Sequence, residues 1–154
     1  MYETLRKYPV LGNLTREVMD DYVFPDGLKL DVGVRVHIPV YHLHHNPEFF
    51  PEPEAYKPER FLPESKDDVV PYSFLPFGNG PRLCIGMRFA KMQSLTGLIT
   101  FLKKYRVELA DGMKKTLTFE PRTITIQPLE QGIMLKVFKR EGWEDRRFVR
   151  SGKK

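Results

Sequence analysis

The sequence has one cysteine and one tryptophan in 154 residues, and no apolar run long enough to span a membrane. A single thiol excludes a disulfide framework, and with it the small secreted scaffolds that depend on one. The opening residues, Met1-Tyr2-Glu3-Thr4-Leu5-Arg6, have neither the charged start nor the apolar stretch of a signal peptide or anchor, so this stretch is expected to provide no membrane attachment. Internal repeats and low-complexity segments are missing too. At 41% hydrophobic and 12% aromatic, the composition excludes collagen-like, coiled-coil and strongly disordered classes. It leaves enough apolar material for one modest core.

A net charge of +5 invites a nucleic-acid reading, but the charge is concentrated at one end. Residues 139–154 carry seven Lys/Arg against three Asp/Glu, whereas the preceding 138 residues hold 18 basic and 17 acidic side chains. A run of one sign reads as a solvated tail. No zinc-finger or RNA-recognition signature accompanies it, and no nucleic-acid partner is expected.

Residues Met1 to Tyr8 read as the end of a helix stopped by Pro9, since proline disfavours helix in the residue before it. A chain that opens inside a helix is expected to begin mid-domain. Tyr22-Val23-Phe24, Pro25-Asp26-Gly27 and Leu28-Lys29-Leu30 have hairpin grammar. Val34 to Ile38 alternates apolar and polar residues, the period of a half-buried strand. From Pro47 to Pro81 there are eight prolines in 35 residues, interleaved with aromatics. Proline removes backbone donors, so little regular structure is expected there, and the rings argue for an ordered coil rather than a disordered linker. Gly86 to Tyr105 is the strong helix, with Phe89, Met92, Leu95, Ile99 and Leu102 forming an apolar stripe. Leu117–Phe119, Thr123–Gln127 and Ile133–Phe138 read as strands, with turns at Pro121 and Pro128-Leu129-Glu130.

The informative stretch runs from Phe77 to Gly86 around Cys84, directly before the strong helix. A cysteine at a helix start meets the positive end of the helix dipole, and Arg82 adds positive charge, so the thiolate is favoured. Gly80 and Gly86 permit tight turns and close approach of the backbone to a flat ligand. Backbone N–H groups tune a metal-bound sulfur, and Phe77 is expected to cover it from water. A thiolate on haem iron pushes electron density toward O–O cleavage.

Phe77-x-x-Gly80-x-Arg82-x-Cys84-x-Gly86 resembles the haem-binding signature of the cytochrome P450 family. Five fixed positions match by chance in about one in ten thousand chains of this size or fewer, which sets aside the reading of Cys84 as an ordinary buried thiol. Two weaker motifs fall in the family's order. Glu3-x-x-Arg6 places opposite charges on one helical face, and Pro58-Glu59-Arg60-Phe61, after Phe50-Pro51-Glu52-Pro53, is similar to the family's proline-rich meander.

The resemblance implies a mainly α fold with small β-sheets, of which this chain would be the C-terminal third. Residues 1–138 would belong to the haem-thiolate domain, and residues 139–154 form the basic tail. It implies haem b held by Cys84, with Phe77, Gly80, Arg82, Gly86 and Arg16 as cofactor contacts, the two arginines on the propionates. Glu3, Arg6 and Arg60 would form a buried structural network, and truncating Arg60 would then strand a carboxylate at a cost of about 3–5 kcal/mol. Val10, Leu11, Thr123 and Ile124 resemble substrate-contacting positions, although their apolar mix suits an ordinary core equally.

The implied activity is insertion of one oxygen atom of O2 into lipophilic substrates, with electrons from NADPH through a flavoprotein reductase. Residues Gly86 to Gln93 look most like the eukaryotic microsomal branch that oxidises xenobiotics and hormones. That likeness places the complete protein at the endoplasmic reticulum membrane through an N-terminal anchor outside this chain. Arg88, Lys91, Lys103 and Lys104 fit the basic face that docks the reductase, and fit a solvated helix face as well. No catalytic residue beyond the haem ligand is expected here, because the distal helix that protonates bound oxygen is missing, and the chain alone is expected to be inactive. The alternative is a truncated, non-catalytic product, a relic or regulator. His42, His44 and His45 cluster, but no acidic or thiol partner is spaced to complete a metal site with them.

Overall fold

The computed structural model describes residues 1–114, 118–120, 123, 125–129 and 132–145. The described chain divides into two compact units, one of Met1–Cys84 with Glu120–Gln127, the other of Ile85–Phe119 with Pro128 onward.

The first unit opens with helix α1, Tyr2–Lys7. It ends at Tyr8, whose N–H donates to Thr4 O at 2.8 Å, directly before the buried Pro9. Strands β1, Leu14–Glu17, and β4, Arg35–Ile38, pair antiparallel, with Leu14 opposite Ile38 and Arg16 opposite Val36. That register sets Leu14, Arg16, Val36 and Ile38 on the half-buried face. Between them, β2, Tyr22–Val23, and β3, Lys29–Leu30, form the expected hairpin. Gly27 takes φ +91° at its turn, where Asp26 Oδ1 accepts from Leu28 N. Helix α2, Val40–His44, follows.

The proline-rich stretch is ordered without long elements. It contains 3-10 turns at Pro58–Phe61, Pro63–Asp68 and Gly80–Arg82. Rings hold it: Phe61 lies 4.6 Å from Phe74, and Tyr2 of α1 lies 5.8 Å from Phe61. The core of this unit is small and mixed, with Val40, Phe50 and Leu75 buried beside Glu3, Arg6, His44 and Ser73.

The second unit is built on helix α3, Met87–Lys104, which runs directly into strand β5, Tyr105–Leu109. Strand β6, Leu135–Lys139, pairs antiparallel with β5, Val107 facing Val137. Arg140 Nε donates to Leu102 O and Tyr105 O, each at 3.0 Å, so the first residue after β6 takes up carbonyls at the C-terminal end of α3. Trp143 lies under two lysines, with Lys104 Nζ 4.7 Å from the ring centroid. Residues 139–145, the described part of the basic tail, are therefore partly packed.

Two expectations change. The described chain has few helices and three two-stranded antiparallel sheets, so irregular backbone, not helix, dominates. Of the expected strands Leu117–Phe119 and Thr123–Gln127, the described residues show isolated bridges, Leu11 with Thr125 and Phe119 with Pro128. Leu117, Pro121, Ile124 and Glu130 lie outside the described residues. No described helix is long and apolar enough to cross a membrane.

The α3 stripe is open, with Phe89 62% and Met92 61% exposed. An uncovered apolar face of this size drives association. The isolated chain should therefore self-associate, and the double substitution Phe89→Gln, Met92→Gln should lower its light scattering severalfold. Unchanged scattering would move the cause away from α3.

Candidate functional site

The site begins with a buried charge pair on α1. Arg6 and Glu3 are 0% and 1% exposed, and Arg6 grips the carboxylate with Nε to Oε2 and Nη2 to Oε1, both at 2.8 Å. Their spacing of three residues puts both on one helical face. Lys57 N–H adds a third hydrogen bond to Oε1 at 2.9 Å. Burial pushes the Glu3 carboxyl up, but the Arg6 and Lys57 hydrogen bonds and the Arg6 and Arg60 charges outweigh it and hold its pKa below the usual value. Arg6 further donates to His44 O at 2.9 Å and Pro53 O at 2.7 Å.

Arg60 joins this group at a greater distance. Its Nε lies 3.7 Å from Glu3 Oε1 and, though buried, makes no hydrogen bond, while Nη2 donates to Pro51 O and Glu52 O. Glu3 thus keeps three hydrogen bonds without Arg60, which moves the larger expected cost of truncation from Arg60 to Arg6.

The three histidines differ sharply. His44 is fully buried, its Nε2 accepts from Leu75 N–H at 2.8 Å, and its Nδ1 therefore carries the proton and donates to Arg6 O at 3.1 Å. Burial lowers its pKa to about 4, so the ring is neutral. His45 is half-buried, stacked 4.1 Å from the Tyr41 ring, with Nδ1 on Tyr41 O. His42 is exposed. With both His44 nitrogens engaged, the cluster is not a metal site. The structural role of His44 is invisible in the sequence, where three histidines lie within four positions.

From Leu75 the chain enters the cysteine loop. Gly78 N–H donates to Leu75 O at 3.1 Å, Leu83 N–H to Gly80 O at 3.0 Å, and Cys84 N–H to Phe77 O at 2.9 Å. Gly78 and Gly80 take φ +74° and +70°, conformations that a side chain strains. Gly86, the N-cap of α3, has φ −84° and so needs no glycine for its turn. Cys84 is exposed, and Phe77, which lends it a carbonyl, does not by itself shield the sulfur.

Arg16 and Arg82 line one concavity of about 660 Å³, together with Arg35, which the sequence reading missed. The alternation of β4 gave no signal for it, since Arg35 lies opposite Glu17 on the face away from Arg16 and Val36. A Cβ on Gly78 would sit 3.9 Å from Arg16 Nη2 and 3.6 Å from Arg82 O, so Arg16 reaches the cysteine loop. Three guanidiniums against the single Glu17 carboxylate leave the concavity cationic, which suits a ligand bearing carboxylates, and Cys84 stands two residues beyond Arg82 in the same loop, outside the lining.

The remaining candidates meet at a second place. Val10 O accepts from Ile126 N at 3.2 Å and Leu11 bridges Thr125, so the segments carrying Val10, Leu11 and Thr123 lie side by side. Thr123 Oγ1 donates to Thr125 O at 2.7 Å, and both Val10 and Leu11 are exposed.

Comparison with known proteins bears on this arrangement. The family model described as cytochrome P450 matches residues 1–136. Probable cytochrome P450 6a14 of Drosophila melanogaster is 42% identical over 136 residues, which is 88% of this chain and 26% of that protein. Lithocholate 6-beta-hydroxylase of Mesocricetus auratus is 40% identical over 139 residues, 90% of this chain and 27% of that protein. Cytochrome P450 3A19 of Capra hircus aegagrus is 42% identical over 135 residues, 88% of this chain and 61% of that protein. The chain thus spans about a quarter of the length of most of the curated relatives it matches.

Arg6→Ala strands a buried carboxylate and should cost about 3–5 kcal/mol, whereas Arg60→Ala leaves Glu3 bonded and should cost about 1–2 kcal/mol. Urea unfolding of the two variants checks the order, and equal losses would contradict it. A second expectation concerns pH. The folded pKa of His44 lies below its ordinary 6.5, so the unfolded chain takes up the proton first as pH falls. The stability owed to the neutral ring is complete above about 6.5 and declines toward 4. Between pH 7 and 4.5 the loss from His44 should be about 2 kcal/mol. His45, its pKa also lowered by burial, adds to the decline in the same sense. His44→Gln should therefore flatten the pH dependence without abolishing it.

Proposed function

The chain belongs to the cytochrome P450 family, and from that membership we propose that it is the C-terminal, haem-ligating part of a monooxygenase that inserts one oxygen atom of O2 into lipophilic substrates. The family implies monooxygenase chemistry and a haem iron cofactor. The observation that carries the reading is the loop 77–84, which holds the single thiol of the chain and, in Arg82, one of the guanidiniums around the shared concavity. When bound, haem iron supplies the oxygen activation that no side chain of this chain can provide.

In this reading Cys84 is the thiolate ligand, and its own N–H, spent on Phe77 O, helps keep the loop in place. Arg16 and Arg82 bind the two carboxylates of haem b as planar forks. Phe77, Gly80 and Gly86 complete the cofactor contacts, and a Cβ at Gly80 would project into open space, leaving the backbone accessible to a flat ring. Glu3, Arg6 and Arg60 serve as the structural network that holds the proline-rich stretch. Val10, Leu11, Thr123 and Ile124 contact substrate. One relative is named for hydroxylating lithocholate.

Electrons would come from NADPH through a flavoprotein reductase docked on the basic residues of α3, Arg88, Lys91, Lys103 and Lys104, with the complete protein at the endoplasmic reticulum membrane. The chain alone is not expected to turn over substrate, because oxygen activation needs a dry distal pocket and positioned proton donors. Nothing observed favours a relic or regulatory product over this reading.

In the complete protein, Cys84→His should abolish the red-shifted Soret band of the ferrous–CO complex, and survival of that band would remove Cys84 as ligand. The isolated chain supplied with haem, NADPH and reductase should form no coupled product from lipophilic probes. Product lost on Cys84→Ala would show the chain to be an enzyme by itself.

A further inference from the structure

One buried side chain links the charge pair to the cysteine loop, and neither the signature nor the charge network accounts for it. His44 is 0% exposed and meets α1 twice, accepting from Arg6 Nη1 through its carbonyl at 2.9 Å and donating from Nδ1 to Arg6 O at 3.1 Å. Its Nε2 then accepts from Leu75 N–H at 2.8 Å. Leu75 is the residue from which the loop departs, since its carbonyl accepts from Gly78 N–H, and Phe77 O, between them, accepts from Cys84 N–H. The ring is fixed in the plane of these bonds by Phe74 at 5.2 Å and Phe50 at 6.5 Å. A neutral imidazole suits this place because it offers one donor and one acceptor on opposite sides of a rigid ring. These bonds form a continuous hydrogen-bonded route from α1 to Leu75.

We propose that His44 is a positioning residue for the cysteine loop, carrying the placement of the buried Glu3–Arg6 pair through Leu75 to Cys84. The inference rests on the reading of Cys84 as haem ligand. It predicts that the bond to Leu75 matters separately from the volume of the ring. Three substitutions separate these. His44→Gln keeps an acceptor near the Leu75 N–H. His44→Asn keeps a donor toward Arg6 O but is too short for Leu75. His44→Phe keeps volume and neither bond.

The test uses the complete holoprotein, with haem content, thermal midpoint and ferrous–CO spectrum recorded for each variant, and Leu75 amide exchange measured alongside. The expected result is at least tenfold faster Leu75 exchange in His44→Asn and His44→Phe than in His44→Gln. The fraction of CO complex with the red-shifted band should fall severalfold in those two, at temperatures well below unfolding, while His44→Gln keeps most of it. Folded His44→Asn or His44→Phe protein with the parental fraction would overturn the proposal, as would a His44→Gln that loses the band as fully as His44→Phe. Should the Asn and Phe variants not fold, His44→Gln decides: band loss in the folded protein overturns the proposal, and retention with a protected Leu75 amide supports it. Cys84→His separates the two levels. If it keeps the red-shifted band, the ligand assignment fails. If it loses the band while folded His44→Asn keeps it, only the role of His44 fails.

Discussion

The core of the first unit is gathered around a buried guanidinium set against a buried carboxylate. Removing two charges from water is expensive, and a lone pair at Glu3 and Arg6 would not be tolerated at 1% and 0% exposure. The structure answers with hydrogen bonds. Two Arg6 donors and the Lys57 N–H bond the carboxylate, and two further Arg6 donors reach the carbonyls of His44 and Pro53. Each of those partners lies far along the chain, so satisfying one ion pair fixes the course of three segments.

The same chemistry explains how a stretch so rich in proline stays ordered. Proline removes N–H donors and leaves carbonyls, so such a segment cannot satisfy itself through helix or sheet. Arginine is the complementary residue, with five donors and no acceptor. Arg6 and Arg60 between them collect the carbonyls of Pro51, Glu52 and Pro53, and the Phe61–Phe74 ring contact covers the apolar remainder. The coil is held by side-chain donors where another protein would use a backbone ladder.

The cysteine loop is reached from this anchor by short steps, through His44 to Leu75 and from Leu75 into the turns at Gly78 and Gly80. Strands β1 and β4 set Arg16 beside that loop, because their register keeps its side chain on the half-buried face. The large apolar residues of α3 contribute little burial within the second unit. The order of the first unit therefore comes mainly from polar satisfaction, with only Val40, Phe50 and Leu75 as its buried apolar centre.

Local pattern made several features legible in the sequence alone. Helical spacing over Gly86 to Tyr105 marked α3, Asp26-Gly27 marked a turn that glycine alone enters easily, and the spacing from Phe77 to Gly86 marked the cysteine loop. Strand β5 carried a readable signal, Tyr105, Val107 and Leu109 alternating with Arg106 and Glu108, but the helix runs into it without a turn. Strand β1 carried almost none, because Leu-Thr-Arg-Glu has a single apolar residue. Tertiary structure alone decided that His44, and not His42 or His45, is buried, that Arg60 stands at charge distance while Lys57 N–H bonds Glu3, and that Arg35 joins Arg16 and Arg82. The reason is one of range. Backbone preference is set by neighbours within a few residues, whereas burial and hydrogen-bond partnership at these positions depend on residues about forty or fifty places away.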